Sequence, residues 1–103
     1  MEQPTVPINE AQKLIADECD QIKALLISKN QSYGNSALDP VRIFSKADPV
    51  EQIKVRLDDK LSRLSRGSSA GEDVEQDLMG YLVLLRVARK MDGARMMVAT
   101  LLP

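Results

Sequence analysis

EDVEQDLMGYLVLLRVARKM, residues 72–91, decides the fold class. Leu78, Tyr81, Leu82 and Leu85 recur at three- and four-residue spacing, the mark of one face of an α-helix. Glu72, Asp73 and Asp77 come early, where the positive end of a helix dipole favours acids. Leu82, Val83, Leu84 and Leu85 make the middle apolar nearly all round, so this helix is expected to be covered on more than one side. In a chain of 103 residues the expected cover is a partner subunit. Asp92-Gly93 is read as a break, followed by a short apolar C-terminal helix over ARMMVATLL.

Upstream, Leu14, Ile15, Ile22, Leu25 and Leu26 predict a first helix over about residues 9–30, with Asn9 as cap and Gly34 at its end. Asp48-Pro49 is a cap residue followed by proline at the first helical position. It opens a second helix, about 49–66, with the apolar stripe Ile53, Leu57, Leu61 and Leu64. Arg56, Lys60 and Arg63 form a basic stripe on another side. Residues 1–8 read as a loose segment. Residues 31–48 read as a long functional loop, with Val41, Ile43 and Phe44 tucked against the core. The expectation is a single all-α domain over 1–103: a small antiparallel helical bundle of three main helices plus a short C-terminal helix, completed by oligomerisation as a dimer or tetramer.

Composition narrows the function. Net charge is −1, from 14 basic and 15 acidic residues, without the basic excess of a duplex nucleic-acid binder. Three aromatic residues, Tyr33, Phe44 and Tyr81, are too few for a single-strand stacking platform. The single Cys19 forms no internal disulfide and suits a reducing cytoplasm. No membrane span and no signal peptide are expected. The chain holds no histidine, so Ser-His-Asp and Cys-His systems and His-bound zinc are excluded. Acid–base or metal chemistry would rest on Asp and Glu, whose oxygens favour Mg²⁺ or Mn²⁺.

Three stretches could carry that chemistry. Asp73 and Asp77, four apart, can share a helix face with Glu72 beside them, and a divalent cation would relieve their repulsion. Early acids are also ordinary dipole partners. Asp77 stands beside the core face and one turn before Gly80, whose presence in a helix interior implies close approach of another helix or a ligand. In RLDDKLSRL, 56–64, Asp59 lies between Arg56 and Arg63. This reads as an ion-pair ladder or as an anion site with an embedded carboxylate. KNQSYGNS, 29–36, offers Lys29 for a phosphate, Asn30 and Asn35 for a base or sugar edge, and Tyr33 for stacking. The same residues suit a polar helix end and turn.

Taken in order, Lys-Asn-x-x-Tyr-Gly-x-Ser, Arg-Leu-x-Asp-Lys-Leu-x-Arg-Leu and Glu-Asp-x-x-x-Asp-Leu-x-x-Tyr resemble the nucleotide modification associated domain 1 family of phage and bacterial proteins. That family is similar to the all-α nucleoside triphosphate pyrophosphohydrolases, the MazG and dimeric dUTPase group. The resemblance covers roughly residues 9–90. It implies a MazG-like, Mg²⁺-dependent hydrolase that cleaves a nucleoside triphosphate to monophosphate and pyrophosphate. The setting it implies is a phage nucleotide pool or DNA modification. It places metal ligands at Asp59, Glu72, Asp73 and Asp77, with Glu72 also accepting the proton of the attacking water. Arg56, Lys60 and Arg63 would face phosphates, and Lys29, Asn30 and Tyr33 the nucleotide. One departure is visible: enzymes of that group carry a Glu-x-x-Glu cluster on the second helix, whereas Asp58 and Asp59 stand here among cations. The alternatives are a non-catalytic nucleotide-binding module and a helical protein-interaction module on the same scaffold.

Overall fold

The described residues form three helices: α1 over Ile8–Tyr33, α2 over Pro49–Ser65 and α3 over Val74–Leu101. The computed structural model describes residues 8–38, 48–67 and 71–101, without the side chains of Ile8 and of residues 95–101. Among the described residues there is no strand, so the all-α expectation holds. The expected core positions Val41, Ile43 and Phe44 lie outside them, as does half of the long loop, residues 39–47.

Local chemistry sets the starts of α2 and α3. Asp48 Oδ1 accepts from the backbone N–H of Glu51 at 2.9 Å, and Pro49 follows as the first helical residue. Asp73 Oδ1 accepts from the N–H of Gln76 at 2.9 Å and opens α3 the same way. Each bond satisfies a donor that the first helical turn leaves without a partner. Asn9 does not cap α1, which begins one residue earlier; its Oδ1 accepts only from the neighbouring Glu10 N–H.

The C-terminal end of α1 is built by the stretch that looked like a ligand surface. Asn30 Nδ2 donates to the Gly34 carbonyl at 3.2 Å and to Asn35 Oδ1 at 2.8 Å. Gly34 takes φ +64°, where a side chain would strain the backbone. The turn closes with the Leu38 N–H on the Asn35 carbonyl, and Leu38 drops into the core.

That core is small. Leu38, Ile53, Leu57, Leu85 and Ala88 are its buried members, and Val50, Leu78, Tyr81, Leu84, Val87 and Met91 close around them. It lies chiefly between α2 and α3. Ile53, at 2% exposure, contributes about 1.5–3 kcal/mol by burial. Leu61 and Leu64, at 51% and 41%, extend the α2 stripe past the covered region.

The expected break at Asp92-Gly93 does not occur, and the separate C-terminal helix is the continuation of α3 to Leu101. Gly93 is absent from the positive-φ positions, so the turn geometry that Asp-Gly favours is not used. One interior glycine costs about 1 kcal/mol against alanine, too little to stop an otherwise helical run. No helix among the described residues is long and apolar enough to cross a membrane.

Candidate functional site

Two features carry most of the polar side chains singled out above, and Asp77 belongs to both. The first is a groove between the C-terminal half of α1 and the N-terminal half of α3. Its volume is about 180 Å³. Leu25, Leu26, Lys29, Asn30 and Tyr33 form one wall, the 34–38 turn closes an end, and Gln76, Asp77, Gly80, Tyr81 and Leu84 form the other wall. Gly80 sets the width. A Cβ there would stand 3.3 Å from Leu26 Cδ2, so the glycine lets α1 approach α3 closely. Its role is therefore helix approach and groove shape together.

Among the described residues, Lys29 and Tyr33 engage in no hydrogen bond or ion pair, and Tyr33 is 73% exposed. Both are open to a ligand. Asn30 is not in the same position, because its amide donors already hold Gly34 and Asn35. It builds the wall, and its remaining freedom to bind is its carbonyl oxygen.

The second feature is a knot of ion pairs between α2 and the start of α3. Lys60 Nζ lies 3.3 Å from Glu72 Oε2 and 3.3 Å from Asp77 Oδ2, with its side chain only 12% exposed. Arg63 Nη1 donates to the same Glu72 oxygen at 2.8 Å, while its Nε reaches Asp59 Oδ2 at 3.3 Å. Burial pulls the Lys60 pKa down, but the hydrogen bonds and charges of Asp77 and Glu72 outweigh it. The ammonium is thus held above its ordinary value of 10.5. Hydrogen bonds from Lys60 and then Arg63, reinforced by their charges, hold Glu72 below the usual carboxylate value of 4.5.

The repulsion among the acids of this stretch is thus relieved by protein cations. Lys60 and Arg63, expected to face phosphates, are turned inward onto carboxylates. Arg56 is exposed and lines neither feature. Asp73 caps α3 just before its first turn, with its carboxylate on the Gln76 N–H and its carbonyl on the Asp77 N–H. A shallow depression of about 380 Å³ beside Arg63, Glu72, Asp73 and Glu75 collects the outer ends of this network.

Each of the four expected Mg²⁺ ligands has a partner in this structure. Among the described residues no three acids gather as a metal-holding group. Asp59 sits on Arg63, Glu72 on Lys60 and Arg63, Asp77 on Lys60, and Asp73 on a backbone N–H. Glu72 and Asp77 share the Lys60 ammonium, so a divalent ion held by these two acids would take that ammonium's place.

Sequence reasoning missed Gln76, which lines the groove beside Asp77, and the apolar floor from Leu25, Leu26 and Leu84. The α1 stripe signalled the leucines, but nothing in their spacing separates a groove floor from ordinary core.

No family model matches the chain, and no curated protein or solved structure is significantly similar to it.

Proposed function

We propose that this protein binds a nucleotide, with its base or sugar seated in the α1/α3 groove. The observation that supports this most is the pairing of an apolar floor with polar groups on facing walls: Lys29 and Tyr33 on one side, Gln76 and Asp77 on the other. An apolar concavity with a few convergent polar groups is what small-molecule sites are made of. Tyr33 offers a ring for stacking, Gln76 both donates and accepts, and the Asp77 carboxylate accepts from an N–H or a hydroxyl. Lys29 at the rim suits a phosphate. The groove is smaller than the ~300–1,000 Å³ of sites that enclose a whole drug-sized ligand, so the phosphates extend beyond it. The choice of a nucleotide among polar ligands comes from the resemblance, whose Lys-Asn-x-x-Tyr-Gly-x-Ser block forms this wall.

The test is calorimetric titration of the intact protein with ribo- and deoxynucleoside mono- and triphosphates, in EDTA and in Mg²⁺, beside Tyr33→Ala and Lys29→Ala. Saturable binding, weakened about tenfold by Tyr33→Ala, is expected. Absence of binding by every nucleotide in both conditions refutes the reading and leaves a helical interaction module.

Pyrophosphohydrolysis stays as a second reading, and one observation favours it. Glu72, before α3, and Asp77, in its first turn, direct an oxygen each at a single cation position. Pyrophosphate release from nucleoside triphosphates with Mg²⁺, Mn²⁺ or EDTA decides it. Metal-dependent turnover abolished by Asp77→Asn establishes a hydrolase of nucleotide pools or DNA precursors, and no turnover with any triphosphate removes it.

A further inference from the structure

The chain exposes far more surface than its size calls for. A monomer of 11.4 kDa is expected to show about 5,800 Å². This one shows 8503 Å², an excess of roughly 2,700 Å². Its radius of gyration is 18.0 Å, against about 13 Å for a compact domain of this length.

Exposed apolar side chains gather on two of the described helices. Among the described side chains of α1, a helix of 26 residues, only Ile22 is buried. The N-terminal half of its apolar stripe overhangs the core, with Leu14 53% and Ile15 64% exposed. On α3, Met79, Leu82 and Val83 are exposed by 42–46% on the side away from α2. The two patches share one spacing. Ala11, Leu14, Ile15 and Glu18 stand at i, i+3, i+4 and i+7, and so do Met79, Leu82, Val83 and Arg86. Each is therefore a single helical face.

Their flanking charges differ, although Glu75, one turn before Met79, puts one acid at the N-terminal end of the α3 face. Residues 10–20 carry four acids, Glu10, Asp17, Glu18 and Asp20, against Lys13 alone. Residues 86–90 carry Arg86, Arg89 and Lys90 and no acid. Two α1 segments laid on each other would bring acid against acid, whereas α1 on α3 brings acid against base.

We infer that the occupant of these faces is a second copy of the chain, with the N-terminal half of α1 in each protomer lying on the outer face of α3 in its partner. The arrangement is closed and two-fold, so both apolar patches of both copies are covered at once. It is independent of what the groove binds.

Sedimentation of the intact chain across micromolar concentrations tests it. A dimer is expected. Leu14→Asp with Ile15→Asp on α1, and Leu82→Asp with Val83→Asp on α3, are each expected to weaken it about tenfold or more. Ile27→Asp, an exposed apolar position on the opposite face of α1, is expected to leave it intact. Circular dichroism confirms that each variant remains helical. Mixing the α1 variant with the α3 variant restores one intact α1-on-α3 contact and is expected to recover a heterodimer. A monomeric wild-type chain overturns the inference, as does a dimer indifferent to both variants. Failure of the mixture to associate overturns the α1-on-α3 pairing.

Discussion

Replacing Lys60 with methionine tests the reading of the ion-pair knot. The substitution keeps the aliphatic stem and deletes the ammonium that Glu72 and Asp77 share at 3.3 Å each. At an effective dielectric near 20, the Lys60–Asp77 contact is worth about 5 kcal/mol before desolvation is counted. Desolvating the ammonium consumes much of that, so the net value must be placed between measured limits. Exposed pairs contribute about 0.2–1 kcal/mol, and breaking a fully buried pair costs about 3–5. Lys60 is 12% exposed and Asp77 25%, nearer the buried limit on one side only. The expected loss is about 1.5 kcal/mol in urea unfolding, or roughly 6–12 °C in Tm for a domain of this size. Asp77→Asn leaves Lys60 with Glu72 alone and is expected to cost less. The double variant should fall short of the summed single losses by about 1 kcal/mol, because the two residues share one interaction. A Lys60→Met protein within about 0.5 kcal/mol of wild type, with additive losses, refutes the claim that this lysine joins α2 to α3.

Two further outcomes follow from the same geometry. Gly80→Ala exchanges a helix-propensity gain of up to about 1 kcal/mol for a Cβ at 3.3 Å from Leu26 Cδ2. Leu26 borders the groove and can shift into it, so the variant should be slightly more stable in urea and bind the groove ligand less tightly; a clear loss of stability contradicts this. The pH profile of stability should show two limbs. The Glu72 contribution is present above its ordinary 4.5 and lost as pH falls through its lower folded value. The Lys60 contribution is present below 10.5 and lost as pH rises through its higher folded value. By urea midpoints, Glu72→Gln should therefore abolish the acid limb and shrink the alkaline one to the Asp77 share, while Lys60→Met should abolish the alkaline limb and shrink the acid one to the Arg63 share.

What was legible in the sequence was chemistry between near neighbours. Asp48-Pro49 announced the start of α2 because a cap acts over three residues, and the 3.6-residue periodicity located all three helices. Asn30 could have been read the same way, since an asparagine four residues before a helix-ending glycine can reach its carbonyl. The Asp92-Gly93 break failed because one glycine is a weak stop without proline or a left-handed turn. The capping role of Asp73 was not legible, because a Glu-Asp pair does not reveal which member is the cap. Lys60 was out of reach for a different reason. Its partners lie twelve and seventeen positions away, joined by the crossing of α2 over α3, and no local pattern encodes that approach.

Asp77 is where the groove and the knot meet, and its geometry limits what each can do. One oxygen is held by Lys60, and the residue also forms part of the groove wall beside Gln76 and Gly80. A neutral hydrogen-bond donor arriving from the groove adds to the carboxylate without breaking the lysine pair, because a carboxylate accepts several bonds at once. A divalent ion at the same oxygen meets an ammonium already in place, and like charges at that separation repel strongly at the dielectric of a half-covered site. With Lys60 in place, the arrangement suits an N–H or O–H edge arriving from the groove, which displaces nothing. That fit is why the groove, rather than the acid cluster that first drew notice, carries the functional proposal.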